Sequence, residues 1–372
     1  MLEIRNIQIW QQDGSFAEGS LFVQDGRFVA PGKPCEVIDG KGMLACPGLI
    51  DVHTHGRVGA DFCTADEQAL VRVAEDFARC GVTAVTPALA SAPFAEWKQT
   101  ALRIAACPHP GYVGLHLEGN YLSPKRRGAH PERLLVKPDA SEVGEIARAI
   151  APMPVRVTFA PELDADGSFV KACLEQGVSL SMGHTDADHA TALEAISRGV
   201  SAASHLFNTM PPLHHRAGGT VAAALNEDIY AELIVDGFHV SPEMVKLAYR
   251  AKGKDRLVLI SDSMEGTGCP DGEYSIAGQA VYLKNGEAYT GDGAIAGSTL
   301  NLLDGVRNLA TFAGISFGEA VTCATKTPAA LLGRQGELGS LSIGARADLI
   351  LLDGQGKKGD LPVRVMQNGD WI

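Results

Sequence analysis

Hydrophobic and polar residues alternate in short runs at both ends of the chain. The N-terminal part, residues 1–48, contains LEIRNIQIW, GSLFVQDGRFVA and CEVIDGKGMLACPG, with Asp-Gly pairs at 13–14, 25–26 and 39–40. Residues 336–372 show the same short runs. Alternation with a period of two, interrupted by Asp-Gly, predicts antiparallel strands joined by hairpin turns. We therefore predict one small β-sandwich domain that is built from both chain termini.

Residues 49–335 follow a different pattern, in which apolar strand-like runs alternate with Ala-rich helical segments such as 67–81 and 191–199. The helical segments tend to end in glycine, the usual stop signal. The eight runs are GLIDVH, VTAVTPA, YVGLHLEG, VRVTFAPE, VSLSMGH, AASHLFN, AELIVDG and RLVLISD. This repeat predicts an α/β fold, a (β/α)8 TIM barrel. A doubly wound sheet is the alternative, but no G-x-G-x-x-G follows the first strand, and GDGAIAG has the wrong spacing and is predicted to be a loop.

Composition narrows the possible partners and location. The 372 residues carry a formal net charge of -12, which argues against nucleic acid because phosphate backbones require clustered Lys and Arg. The eight cysteines form no C-x-x-C pair, as expected for reduced core residues in the cytoplasm. The N-terminus is not that of a signal peptide, and no uncharged apolar run reaches the roughly 18 residues of a membrane span. We expect a cytoplasmic protein without a membrane partner.

Histidines and carboxylates occupy the ends of the predicted barrel strands, where the active sites of such barrels lie. In DVHTHG, His53 and His55 are two positions apart and face the same side of a strand. The other strand ends carry Glu118, His184, His205, Asp236, His239 and Asp262. Two histidines exposed in a loop would be the plain alternative for His-x-His alone. So many polar groups on one rim predict a metal site, since burying them unpaired would be costly.

A metal ion at a barrel mouth is suited to hydrolysis, because it lowers the pKa of bound water to about 7 and polarises a carbonyl oxygen. Asp262 is the predicted proton shuttle, acting as a base toward water and then as an acid toward the leaving nitrogen. This combination resembles the amidohydrolase superfamily. Dihydroorotase-like members use a carboxylated Lys on strand 4, which VRVTFAPEL lacks, whereas HLEGN supplies Glu118.

The Glu118 motif is similar to that of the N-acetylglucosamine-6-phosphate deacetylase family, and the similarity covers nearly the whole chain. The matching segments are GAH ending at His130, GHTDAD, HLFNTMPPLHHR, DGFHV, SDSMEGTGCPDGEY and AGSTL. The resemblance implies a divalent metal, most simply Zn with Fe, Co or Mn as alternatives, in one or two ions per subunit. It implies Glu118, His184 and His205 as the principal ligands, with His53 and His55 for a second ion.

The same resemblance implies the remaining site residues. Asp262 matches the catalytic acid/base, and His130 matches a residue near the sugar that assists at the carbonyl. The substrate contacts implied are Ala129, His130, Asn208, Thr209, Arg216, His239, Ile295, Ala296 and Gly297. Arg216 and His239 would bind the phosphate, with Arg216 reaching the site of a neighbouring subunit. A homodimer acting on a phosphorylated N-acetyl amino sugar is therefore expected.

Several positions depart from the family's usual pattern: Asn120, Thr209, the AGG after Arg216, and SDSMEGTG. They flank the sugar pocket, so N-acetylgalactosamine 6-phosphate and other N-acyl amino sugars or amino acids remain alternatives to N-acetylglucosamine 6-phosphate. A cyclic-amide hydrolase and a non-catalytic metal-binding barrel are the alternatives from other classes.

Overall fold

The computed structural model describes residues 1–372. The strands are β1 (Leu2–Trp10), β2 (Phe16–Gln24), β3 (Arg27–Val29), β4 (Glu36–Asp39), β5 (Leu44–Pro47), β6 (Leu49–Thr54), β7 (Gly56–Arg57), β8 (Ala60–Asp61), β9 (Val82–Leu89), β10 (Leu115–Glu118), β11 (Val155–Phe159), β12 (Ser179–Met182), β13 (Ala202–Ala203), β14 (Tyr230–Ile234), β15 (Leu257–Ile260), β16 (Gly272–Ile276), β17 (Gln279–Lys284), β18 (Glu287–Thr290), β19 (Leu349–Leu352), β20 (Arg364–Gln367) and β21 (Asp370–Trp371). The helices are α1 (Glu67–Arg79), α2 (Phe94–Ala106), α3 (Ala140–Ala149), α4 (Ser168–Glu175), α5 (His189–Ser197), α6 (Gly219–Asn226), α7 (Pro242–Lys252), α8 (Leu302–Ala313), α9 (Phe317–Cys323) and α10 (Lys326–Leu331).

The predicted (β/α)8 barrel is confirmed. Strands β6 and β9 to β15 form one parallel sheet in chain order, and they coincide with the eight predicted runs. Two backbone hydrogen bonds join its ends: Asp262 N–H donates to the His53 carbonyl (3.0 Å), and His55 N–H donates to the Ser263 carbonyl (2.8 Å). The last strand is therefore next to the first, and the strand ends face one mouth. Apolar side chains between the strands and the surrounding helices form most of a core of 65 buried residues, which continues into the β domain at Trp10, Ile350 and Val365.

The β domain predicted from both termini is also confirmed. Strands β1 to β5 and β19 to β21 hydrogen-bond into one eight-stranded sheet, which folds around a core that includes Ile4, Phe28, Leu349 and Met366. Its predicted limits at 48/49 and 335/336 stay predictions. Two short pieces lie outside the barrel sheet: the β7–β8 hairpin, and a three-stranded antiparallel sheet of β16, β17 and β18 that the sequence analysis did not predict.

The prediction that the N-terminal strands are all antiparallel is wrong in part. β1 pairs antiparallel with β2, but it pairs in parallel with β4 along one half and with β5 along the other. The segment from 30 to 35 carries the chain back across the sheet, so that β4 and β5 lie end to end on one edge of β1. The chain does not reverse at Asp39-Gly40, because β4 and β5 run in the same direction; residues 40–43 form a bend between them, in which Lys41 and Gly42 have positive φ angles (51° and 79°). No helix of the structure has the length and apolar character of a membrane span.

Candidate active site

Four imidazoles converge on the single carboxylate of Glu118 at the barrel mouth. Oε2 of Glu118 lies 3.0 Å from Nε2 of His53 and 3.0 Å from Nε2 of His55. Its other oxygen, Oε1, lies 2.9 Å from Nε2 of His205 and 3.5 Å from Nε2 of His184. The carboxylate thus stands between two half-sites, one of His53 and His55 and one of His184 and His205. All five side chains are buried.

Left-handed backbone at three strand ends turns the site residues inward. His184, His205 and Asp262 have φ angles of 46°, 29° and 50°, a region that is uncommon for residues other than glycine. Hydrogen bonds hold each bend; the carbonyl of His184, for example, accepts from Ser123 N–H at 2.9 Å. Strained backbone of this kind concentrates at functional sites, where the surrounding structure enforces it.

Hydrogen bonds at Nδ1 fix the orientation of two of the imidazoles, so that Nε2 of each ring faces Glu118. Nδ1 of His53 lies 2.8 Å from a Glu232 oxygen, and Nδ1 of His184 lies 2.9 Å from the Arg126 carbonyl oxygen. Since both partners are acceptors, each Nδ1 carries the proton and each Nε2 offers a lone pair toward Glu118. This is the usual arrangement of histidines that bind metals.

The donor set fits one or two divalent ions. The side chains of His53, His55 and Glu118, and those of Glu118, His184 and His205, each bring three ligand atoms within 4.8 Å of one another. Imidazole and carboxylate together suit Zn, Fe, Co and Mn. The charge of Glu232 is balanced by Arg156, so Glu118 and Asp262 alone have too few charges to neutralise four protonated imidazoles in a buried site. A cation with neutral rings therefore accounts for the cluster better than hydrogen bonds alone.

The two carboxylates of the site remain ionised despite their burial. Burial raises the pKa of Glu118, but the contacts with His53, His184 and His205 outweigh it and hold the pKa well below its usual range. Burial likewise raises the pKa of Asp262, and the hydrogen bond to His55 helps to lower it overall. For His55, burial lowers the pKa, yet Asp262 and Glu118 raise it to about 9. The half-site of His53 and His55 therefore attracts positive charge.

A cavity of about 240 Å³ opens beside this cluster. Its lining includes most of the predicted site residues, namely His55, Glu118, Ala129, His130, His184, His205, Asn208, Thr209, His239, Asp262, Ile295, Ala296 and Gly297. Ile276, from the unpredicted sheet, lines it as well. His53 lies behind this surface and is fully buried. Arg216 is not part of the lining; it is exposed, and its guanidinium lies 2.8 Å from a ring nitrogen of His215.

Two further histidines of the cavity are held by neighbouring side chains. Nδ1 of His130 accepts from the backbone N–H of Ser91 (3.4 Å) and lies 2.9 Å from the Ser91 hydroxyl. Burial and the nearby His184 lower the pKa of His130 well below its usual value, so its ring is neutral and its proton is on Nε2. Nδ1 of His239 lies 2.6 Å from a carboxylate oxygen of Asp236. Both rings therefore have a fixed orientation.

Two charged residues of the barrel interior were not predicted from the sequence. Arg156 and Glu232 lie within β11 and β14, are almost completely buried, and form an ion pair with each other. His116 bonds to the Thr158 hydroxyl (2.7 Å) and receives a hydrogen bond from Arg156 (3.3 Å), so it belongs to the same interior network. A charge in the middle of an apolar strand was the signal available for both missed residues.

Comparison with known proteins agrees with this geometry. Residues 44–372 match the model of the amidohydrolase family. The chain is 34% identical to N-acetylgalactosamine-6-phosphate deacetylase of Escherichia coli O157:H7, with 94% of each chain covered. It is 33% identical to N-acetylglucosamine-6-phosphate deacetylase of Vibrio furnissii, with 92% of this chain and 87% of the relative covered.

A solved structure of N-acetyl-D-glucosamine-6-phosphate deacetylase from Mycobacterium smegmatis, in complex with N-acetyl-D-glucosamine-6-phosphate, superposes with a TM-score of 0.90 at 29% identity. The match covers 100% of this chain and 98% of that chain. The family match, the relatives and the superposition all extend over most of the molecule, barrel and β domain included. The chain therefore belongs to the amidohydrolase family, within its group of N-acetylglucosamine-6-phosphate deacetylases.

Proposed function

We propose that this protein is a metal-dependent hydrolase that deacetylates N-acetylglucosamine 6-phosphate to glucosamine 6-phosphate and acetate. The observation that carries the proposal is the position of Asp262, an ionised carboxylate that lines the cavity 3.4 Å from His55 and next to the cluster around Glu118. A proton acceptor beside a set of metal-binding groups is what hydrolysis of an amide requires.

The ligand cluster would hold the ion, which supplies Lewis-acid chemistry by polarising the acetamide carbonyl and making water more acidic. Asp262 takes the proton from the attacking water on a carboxylate oxygen. The same oxygen then returns the proton to the leaving nitrogen as the C–N bond breaks, so that the sugar amine departs neutral. His130, with its proton on Nε2, donates a hydrogen bond to the oxygen that becomes negative when water adds to the carbonyl.

We propose zinc as the first metal to test. The donor set does not discriminate among Zn, Fe, Co and Mn, so all four ions have to be compared. One ion would be held by Glu118, His184 and His205, and a second by His53, His55 and Glu118. Metal content of the purified protein, followed by removal with a chelator and reconstitution with each ion, identifies the active form. A protein that binds none of these ions and gains no turnover from any of them would be a non-catalytic barrel.

We propose that Arg216 and His239 bind the 6-phosphate and that Arg216 does so in the site of a second subunit of a homodimer. An arginine is suited to a phosphate dianion because its guanidinium donates two parallel hydrogen bonds. Arg216 is exposed and does not line the cavity of its own subunit. This position is the one expected of a residue that acts in the site of a neighbouring subunit. A protein that sediments as a monomer at micromolar concentration and still discriminates for the phosphate would contradict this assignment.

Deacetylation of N-acetylgalactosamine 6-phosphate is a second candidate function. It has a specific basis, because the N-acetylgalactosamine-6-phosphate deacetylase of Escherichia coli O157:H7 is 34% identical to this chain, and the N-acetylglucosamine-6-phosphate deacetylase of Vibrio furnissii is 33% identical. Steady-state kinetics should compare both 6-phosphates with unphosphorylated N-acetylglucosamine and with dihydroorotate. We expect the highest kcat/KM with N-acetylglucosamine 6-phosphate. A preference for the galactose epimer would change the substrate but keep the mechanism, whereas turnover of dihydroorotate alone would reject deacetylation. The predicted cytoplasmic location stays a prediction.

A further inference from the structure

The barrel interior contains a buried ion pair that the deacetylation mechanism does not use. Arg156 pairs in register with His116, two residues before Glu118 on β10, so it lies one layer deeper than the predicted ligands. Its side chain is 2% exposed and that of Glu232 is 0% exposed. Neither residue lines the cavity. The guanidinium also donates to the backbone carbonyl of Val52 at 2.9 Å, which fixes it against the first barrel strand.

Glu232 joins this pair to one predicted ligand. One of its oxygens forms the ion pair with Arg156, and the other lies 2.8 Å from Nδ1 of His53. His53 is the only one of the four clustered imidazoles whose outer nitrogen meets a carboxylate. His184 has a backbone carbonyl there, and the Nδ1 atoms of His55 and His205 have no hydrogen-bond partner. The two half-sites are therefore supported differently.

We propose that Glu232 and Arg156 are positioning residues that set the ion affinity of the half-site formed by His53, His55 and Glu118. The inference rests on the proposed metal-dependent function. Glu232 keeps the proton on Nδ1 of His53, directs Nε2 toward Glu118, and makes the ring a stronger donor. Arg156 holds Glu232 in place and balances its charge.

A purely structural role explains the pair less well. The interiors of such barrels are normally filled by layers of branched apolar side chains. A buried ion pair can often be replaced by apolar residues of similar volume without loss of stability, because both ions lose their hydration on burial. The chain nevertheless places both charges here, where the only further charged or titratable side chains that they contact are His53 and His116.

The test is the metal content per chain across a series of zinc buffers, compared between the wild type and the double variant Arg156→Met/Glu232→Gln. Changing both residues avoids leaving one buried charge unpaired. We expect two zinc ions in the wild type. In the variant, the affinity for one of them should fall about 10- to 100-fold, the usual cost of losing such a partner, while the other ion is retained.

A matched control is Asp304→Asn/Arg307→Met, which removes a comparably buried ion pair on α8 that contacts none of the clustered residues. It should keep two ions at wild-type affinity. If Arg156→Met/Glu232→Gln does not fold, the double variant Arg156→Gln/Glu232→Gln, which also leaves no unpaired charge, is titrated in the same way. The inference is overturned if the folded variant binds both ions as the wild type does, if it loses both together, or if the wild type never binds more than one. Loss of one ion in a chain that shows no deacetylase activity would instead reject the proposed function alone.

Discussion

Replacing Asp262 by Asn tests the proposed proton shuttle with little disturbance of shape. The side chain is 12% exposed and lines the cavity, with Oδ1 3.4 Å from Nε2 of His55. Its left-handed backbone (φ 50°) is one that Asn adopts as readily as Asp. Both backbone hydrogen bonds of the residue, with His53 at 3.0 Å and Ser298 at 2.7 Å, are unaffected by the side chain. The variant should therefore fold and present a cavity of the same shape.

The expected loss follows from what the amide cannot do. An Asn oxygen accepts a hydrogen bond but does not take up a proton at neutral pH, so both proton transfers lose their catalyst. Loss of general acid–base catalysis costs about 10²- to 10⁴-fold in rate. That range corresponds to about 2.7 to 5.4 kcal/mol in the activation barrier. KM should change much less, because the groups proposed to hold the sugar and phosphate remain.

The assay is steady-state release of acetate from N-acetylglucosamine 6-phosphate, with the metal content of each preparation measured in parallel. Asp164→Asn is a suitable control, since Asp164 is also buried but accepts from the backbone of Phe169 and Val170, away from the cavity. It should alter stability and leave kcat unchanged. Near-full activity of Asp262→Asn with metal still bound would refute the assignment of the shuttle.

Four further outcomes are expected. Glu118→Gln should bind no stoichiometric metal by elemental analysis and should lose activity that added zinc does not restore, because Glu118 contacts both half-sites. Gly119→Ala should lower stability in denaturant titration by about 1–3 kcal/mol, since its Cβ would lie 2.5 Å from the backbone nitrogen of Ser91. Arg216→Ala should raise KM about 10- to 100-fold for the phosphorylated sugar but not for N-acetylglucosamine. Burial lowers the pKa of Lys252 to about 8, so its charged form costs stability at neutral pH; this cost disappears as the pH rises above 8 toward the usual 10.5. Between pH 7 and pH 10 the free energy of unfolding of the wild type should therefore rise by up to about 2 kcal/mol relative to that of Lys252→Met, as measured by denaturant unfolding at each pH.

The barrel and most of the residues at its mouth could be predicted because both follow from a regular pattern in short stretches of sequence. Parallel strands covered on both sides read as apolar runs, and their carboxyl ends meet at one mouth, so that residues far apart in sequence such as His53 and His205 are placed together by topology alone. The parallel pairing of β1 with β4 and β5 was not accessible in this way. An alternating strand has the same pattern whichever direction its neighbour runs, and here the Asp-Gly at 39–40 does not reverse the chain, because β4 and β5 run in the same direction.

The site could be predicted only as far as its ligands lie at strand ends. Arg156 and Glu232 lie inside strands, where a single charge in an apolar run is visibly unusual but does not reveal its partner. Only the closed barrel brings them together and places the pair against Nδ1 of His53. A metal ligand can be predicted from the sequence because its residue type and its position at a strand end are both visible there. The residues that orient the ligand are harder to predict, because they depend on contacts across the closed barrel. A charge inside a barrel strand should therefore be examined first as a possible support for the metal site.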